Sequence, residues 1–186
     1  MKHSNKERGV SLIELITGIA LIVILMALGA PSYIEWIENS RVRSTAESIQ
    51  SGLQLARMEA VKRNAQVQLV IEDDLGWYVG CVVPDENDAD GDGKDDCPEE
   101  IQRRSSGEVK AEAVTLTFIP ADNAVAVFNG FGKVAPNPAP ASFSEVEITT
   151  TALDAEDARN LRVLLGIGGI TRMCDPALPA DDPRAC

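Results

Sequence analysis

The chain has only one histidine, His3, and it stands among the first nine residues. If that segment is lost in maturation, no imidazole remains for a catalytic triad, a proton shuttle or a zinc site. The four cysteines include no C-x-x-C pair, so the usual ligand spacing of a structural zinc site is missing. No glycine-rich phosphate loop occurs, and neighbouring carboxylates such as Glu99 and Glu100 read as surface charge. Basic residues are scarce too. With 17 Lys and Arg against 29 Asp and Glu, the formal charge is -12, which disfavours a general nucleic-acid binder because phosphate contacts need clustered cations. No internal repeat or long low-complexity tract is found. These absences point away from catalysis, and the expectation is a non-enzyme.

What is present begins with grease. From Leu15 to Ile34 the chain runs without a charge for 20 residues, which at about 1.5 Å per residue matches the roughly 30 Å of a bilayer core. Lys2, Lys6 and Arg8 precede this run, and Glu35 and Glu38 follow it. The basic flank would therefore stay in the cytoplasm and the remainder would be exported. Setting the apolar run aside leaves about 150 residues, enough for one domain. An ordinary secretory signal peptide is the competing reading, with Ala27-Leu28-Gly29 as its only fair cleavage site. It leaves Glu14 unexplained, because an acidic residue in mid-membrane costs about 2.5 to 3.5 kcal/mol on insertion scales. A carboxylate placed there suggests a partner.

The stretch Gly9-Val10-Ser11-Leu12-Ile13-Glu14-Leu15 resembles the class III signal of type IV pilins and type II secretion pseudopilins. The resemblance implies that a prepilin peptidase cuts between Gly9 and Val10, that Val10 becomes the N-methylated amino terminus, and that the apolar segment stays on the protein. It also implies that Glu14 meets the amino terminus of a neighbouring subunit during assembly. Each of those charges is costly in lipid, and pairing them removes much of the cost. Pro31 matches the family's helix-kink proline; by itself it shows only that one i-4 hydrogen bond is missing there.

Beyond the apolar run, Val42, Ala46, Ile49, Leu53, Ala56 and Ala60 recur at alternating spacings of four and three, with charged residues between them. This predicts one apolar stripe on a continuing helix, and Asn64 is a stop signal for it. The pattern then changes to alternation in QVQLVIE, GWYVGCVV, VTLTFIP, AVAVF, VEITT and LRVLLGI, which predicts strands. The expected fold is α+β and pilin-like: a long N-terminal transmembrane and amphipathic helix, then an antiparallel β domain. Its expected parts are a leader over 1–9, a transmembrane helix over 10–35, an amphipathic helix over 36–64 and a periplasmic β-rich domain over 65–186. The order of elements resembles the minor branch called GspH, FimT or FimU, with GW in an early strand, Ile101-Gln102-Arg103, the Thr117 to Pro120 stretch and a glycine-rich turn before a final Arg-Met-Cys.

Cys81, Cys97, Cys174 and Cys186 all fall on the exported side, where an oxidising compartment permits disulfides. Spacing favours Cys81 with Cys97 and Cys174 with Cys186 among three possible connectivities. The closing CDPALPADDPRAC resembles the disulfide-bounded C-terminal loop of FimU-like minor pilins; a stapled tail that resists fraying is compatible with it.

Between the first two cysteines, Asp88, Asp90, Asp92, Gly93 and Glu99 satisfy D-x-D-x-D-G-x5-E, with a Lys94 carbonyl and Asp96 in the remaining ligand places. In that spacing alternate side chains converge on one hard cation. Asp95, where a hand-type loop has an apolar residue, and Pro98 beside Glu99 argue for a calcium loop outside an EF-hand. A plain solvated acidic loop is the other reading.

The FimT branch includes members that take up DNA through a Gly-Arg-x-Arg turn. Here the matching place reads Gly169-Ile170-Thr171-Arg172, without the first arginine. Arg172 and Arg184 are the candidate phosphate contacts, and Asp175, Asp181 and Asp182 crowd them, so DNA is not an expected partner. The expected function is a minor pilin or pseudopilin of the inner membrane, single-pass with its N terminus in the cytoplasm. Its expected partners are other minor and major pilins or pseudopilins, the prepilin peptidase and the inner-membrane assembly platform. The alternatives are a competence minor pilin for DNA uptake and a secreted calcium-binding β domain.

Overall fold

The computed structural model describes residues 11–84, 96–105, 113–135 and 141–186, and of 28–31 the backbone alone. By internal packing the chain divides into two compact units, Met1–Ile37 and Glu38–Cys186. One helix, α1 (Leu12–Arg63), runs through both.

The second unit is built on the later turns of α1. Val42, Ala46, Ile49, Leu53, Ala56 and Ala60, the residues of the predicted stripe, are completely buried or nearly so. The helix stops where the backbone of Asn64 turns left-handed, with φ of 50°. There the Asn64 N–H donates to the Val61 carbonyl at 3.3 Å and the Ala65 N–H to the Ala60 carbonyl at 3.2 Å. That pair of bonds is a Schellman ending, which satisfies carbonyls the helix would otherwise leave orphaned, and asparagine tolerates its left-handed residue better than most side chains.

Among the described residues eight strands follow: β1 (Val67–Ile71), β2 (Trp77–Cys81), β3 (Gln102–Arg104), β4 (Val114–Ile119), β5 (Val125–Phe128), β6 (Glu145–Thr150), β7 (Leu161–Leu165) and β8 (Thr171–Cys174). They form two four-stranded sheets, ordered β3-β2-β1-β5 and β4-β6-β7-β8. Every pairing within them is antiparallel. In β1 the alternation predicted from sequence is seen directly, with Val67, Leu69 and Ile71 buried and Gln68 and Val70 half-buried. In β6, Val146, Ile148 and Thr150 are the buried set. One apolar cluster joins the helix stripe to Leu69, Trp77 and Val79 of the first sheet and Val146, Ile148 and Val163 of the second. The buried Trp77 satisfies its ring N–H on Ser48 Oγ of α1 at 2.9 Å.

Two strands lie outside the predicted set. β3 reads Gln-Arg-Arg and is exposed along its length, so it carries no apolar alternation. It is held by its ladder to β2 and by Arg103, whose guanidinium sits 5.0 Å above the Tyr78 ring and donates to Glu72 at 2.5 and 2.6 Å and to Glu100 at 2.9 and 3.0 Å. The Glu100 and Glu72 carboxylates hold that guanidinium in its charged form more firmly than usual. β8, Thr-Arg-Met-Cys, is short and largely polar, and pairs along β7.

Candidate assembly surface

Glu14 lies in the first turn of α1. A carboxylate is favoured there by the partial positive charge of unsatisfied N–H groups. The Thr17 hydroxyl donates to the Ile13 and Glu14 carbonyls at 3.0 Å each and so serves the backbone instead of the Glu14 side chain. Around Glu14, Leu12, Ile13, Leu15, Ile16 and Ile19 are all exposed, as are the apolar side chains from Leu21 to Met26. A helix apolar on every side has no face suited to water and is stable only inside lipid or against other helices.

Among the described residues no single helix is long and apolar enough to cross a membrane. Leu12–Ala27 and Ser32–Arg63 meet the length and composition test only as a bent pair, with a break over 28–31. Before the break stand 16 residues, about 24 Å at 1.5 Å each. Pro31 falls within it. Past it, Tyr33 and Trp36 stack with ring centroids 6.2 Å apart. Exposed aromatics with a polar handle collect where a helix leaves lipid. This pair was not singled out from the sequence, although two of only eight aromatic side chains standing at the end of a charge-free run is a readable signal.

Gly9 and Val10 lie outside the described residues, as do Asp88, Asp90, Asp92 and Lys94. Disulfides join Cys81 to Cys97 and Cys174 to Cys186. The first closes the segment that holds the acidic run. At its near end the Asp96 carbonyl accepts from Arg63 at 2.5 Å, and the Cys81 N–H donates to the Pro98 carbonyl at 3.0 Å. Glu99 is exposed. Among the described residues no group of three or more His, Cys, Asp or Glu side chains is gathered to hold a metal ion.

The two arginines considered for DNA are engaged within the C-terminal loop. Arg172 donates to the Ala185 carbonyl at 2.6 Å and the Pro183 carbonyl at 3.3 Å. Arg184 pairs with Asp182 at 2.9 Å. They brace the loop that the second disulfide closes. The Arg184 side chain, then the Arg184 backbone N–H, hold the Asp182 carboxyl down to about 2 from an ordinary 3.8. The pair's contribution is present above the ordinary carboxylate pKa and is lost as pH falls through about 2. A carboxyl-detected NMR titration should place the Asp182 midpoint near 2. Arg184→Ala should return it to the ordinary range, and an ordinary midpoint in the unmodified protein would show that the brace does not form in solution.

No curated protein matches the sequence. Among solved structures, the chain is similar to the type IV minor pilin FimU of Pseudomonas aeruginosa, at 18% identity over 81% of this chain and 98% of that one, with a TM-score of 0.49. It is also similar to the minor pseudopilin EpsH from the Type 2 Secretion System of Vibrio cholerae, at 17% identity over 74% and 99%, with a TM-score of 0.49. The family model for the type II transport protein GspH matches residues 45–169, which is 125 of the 186. The match takes in the buried helix stripe from Ala46 onward and seven of the eight strands, and on that match the chain belongs to the GspH family of pilin-like minor subunits.

Proposed function

We propose that the protein is an inner-membrane structural subunit that assembles with other pilins or pseudopilins into a type IV pilus or a type II secretion pseudopilus. The observation that carries this reading is a helix with exposed apolar side chains on every side and one carboxylate, Glu14, in its first turn, whose later turns form the spine of a β domain. In this reading the prepilin peptidase cuts after Gly9, Val10 becomes the methylated terminus, the inner-membrane assembly platform receives the subunit, and the β domain lies in the periplasm. Mass spectrometry of the chain co-expressed with a prepilin peptidase should find N-methylated Val10. A mature terminus near Ala30 would instead identify a released secreted domain.

Within this function the acidic loop is a calcium site. Support comes from the spacing of Asp88, Asp90, Asp92 and Asp96 and from the Cys81–Cys97 disulfide, which keeps the two ends of the loop together and so lowers the entropy cost of ordering ligands. At 100 times the dissociation constant, binding to the folded state alone adds about 2.7 kcal/mol. Melting should rise with millimolar calcium, rise much less with magnesium, and lose its calcium response in an Asp90→Ala, Asp92→Ala double variant. Identical melting with calcium and with a chelator would leave a solvated acidic loop.

A further inference from the structure

We propose that the outer edge of β4 is a docking site for an extended segment of a partner subunit, a strand with alternating apolar and basic side chains that extends the second sheet. The inference rests on the assembly reading and assigns it one contact surface.

Among the described residues the two sheets end in β3 and β5 and in β4 and β8. An edge strand presents a row of unpaired N–H and C=O groups to any extended chain, and folded proteins blunt it with charge, shortness or a covering loop. The other edges are blunted. β3 is three residues long and two of them are arginines. Along β5 the Phe143 N–H donates to the Val125 carbonyl at 3.0 Å, the Ala135 N–H donates to the Val127 carbonyl at 2.8 Å, and Ser142 Oγ accepts from the Val127 N–H at 2.9 Å. β8 runs into the disulfide loop, whose Ala185 bridges back to Asp175 and whose Pro183 and Ala185 carbonyls hold Arg172.

β4 has none of these devices. Its six residues, Val-Thr-Leu-Thr-Phe-Ile, carry no charge and no proline, and all six keep an unbroken register with β6. At its two ends the Ala113 and Ile119 carbonyls face β6, accepting from the Thr151 N–H at 3.2 Å and the Ser144 N–H at 2.7 Å. Bonding alternates along an antiparallel ladder, so Val114, Leu116 and Phe118 turn their backbone groups to the free side. Among the described residues no hydrogen bond meets them there.

The apolar core is also unfinished at this edge. On β6, Val146 and Ile148 are completely buried, whereas Phe118 and Leu116, which pair with them, are only half-buried, even with the Phe118 ring 5.4 Å from that of Phe143. Apolar side chains on one face of an added strand would cover both. The opposite face is set by charge. There β4 presents the exposed Thr115, Thr117 and Ile119, and beside them on β6 Glu147 and Glu145 share the single guanidinium of Arg162, at 3.5 and 3.2 Å. That row keeps a net negative charge, and the chain as a whole carries -12. A second copy would bring like charge to the edge, whereas a strand with Lys or Arg on its outer face brings the opposite. In strand addition the backbone bonds give affinity and the alternate side chains give selectivity.

The test titrates the full chain, in neutral detergent, against a fluorescein-labelled Lys-Val-Lys-Val-Lys-Val peptide by polarisation. Binding should saturate, and a Glu-Val analogue should bind about ten-fold more weakly. N-methylation of every valine, or of every lysine, removes the donors on one side of the peptide strand only. One of those two peptides should lose about ten-fold or more, and the other should bind as the parent does. Thr117→Lys and Thr115→Lys, each on an exposed side chain, should weaken the parent peptide by a similar factor with melting unchanged, while Thr117→Val retains it. In cells Thr117→Lys should lower co-purification of partner subunits several-fold at a normal membrane level. No saturable binding, equal binding of the two methylated peptides, equal binding of the Glu-Val analogue, or unchanged co-purification of Thr117→Lys would each overturn the proposal. A homodimer of the unmodified chain that Thr117→Lys breaks would give the edge to a second copy and overturn it as well. Failure of these tests with Glu14 still required for assembly would sink this inference alone, whereas dispensability of Glu14 would sink the assembly reading beneath it.

Discussion

Glu14→Ala is expected to leave the chain in the membrane while keeping it out of the filament. The substitution removes a charge from an apolar segment, where an acidic side chain near the bilayer centre costs about 2.5 to 3.5 kcal/mol, so insertion should be unchanged or improved. Helix formation should survive too, because alanine is the best helix former and the exposed first turn loses only a favourable dipole contact of about 0.3 to 1 kcal/mol. What disappears is the one anionic group of the apolar stretch. In the proposed assembly that group pairs with the amino terminus of a neighbouring subunit, and removing one member of such a pair strands the other charge in a medium that cannot solvate it. Glu14→Gln should fail in the same way, since an amide keeps the shape and loses the charge. Membrane fractionation should find both variants in the inner membrane at the normal level, and purified filaments or partner subunits should bring down almost none of either. Normal co-purification of Glu14→Ala would show that the carboxylate has no docking role.

The helix and six of the strands were legible because burial leaves a periodic mark. Val42, Ala46, Ile49, Leu53, Ala56 and Ala60 lie on one face by spacing alone, and each is buried against the β domain. Asn64 was legible as a stop because few side chains tolerate a left-handed backbone. β3 left no such mark, since an exposed edge strand buries nothing, and it is held by its ladder and by contacts of Arg103 that include Glu72 and the Tyr78 ring, both far along the chain. The free edge of β4 was illegible for a related reason: alternation marks a strand, and only the sheet order shows which strands stand at an edge. At the candidate site, Glu14 was readable from local pattern, whereas the engagement of Arg172 by the Ala185 carbonyl depends on how the C-terminal loop closes.

Gly80→Ala should be among the most damaging single changes in the β domain. Gly80 lies in β2, buried, where a strand normally profits from a side chain. A Cβ at this position would stand 1.7 Å from the Glu99 carbonyl oxygen and 2.8 Å from its carbon. Both are main-chain atoms of the segment that leads from the Cys81–Cys97 disulfide into β3, and a main chain pinned on two sides cannot step aside as a flexible side chain would. The pins are the Cys81 N–H to the Pro98 carbonyl at 3.0 Å and the Ile101 N–H to the Val79 carbonyl at 2.8 Å. Relieving the clash means breaking one or both bonds, and each buried group left unpaired costs about 1 to 3 kcal/mol. Taking about 3 kcal/mol for the pair, and about 2 to 4 °C per kcal/mol for a domain of this size, melting should fall by roughly 6 to 12 °C. The damage should be local before it is global. Hydrogen exchange in β3 and at Ile101 should accelerate well below the melting point, while the paired core of β6 and β7 stays protected. If the acidic loop binds calcium, affinity should fall in the same variant, because the displaced segment carries Glu99 and adjoins Asp96. A Gly80→Ala domain that melts with the unmodified protein and keeps slow exchange at Ile101 would show that the 97–101 segment is not clamped over β2.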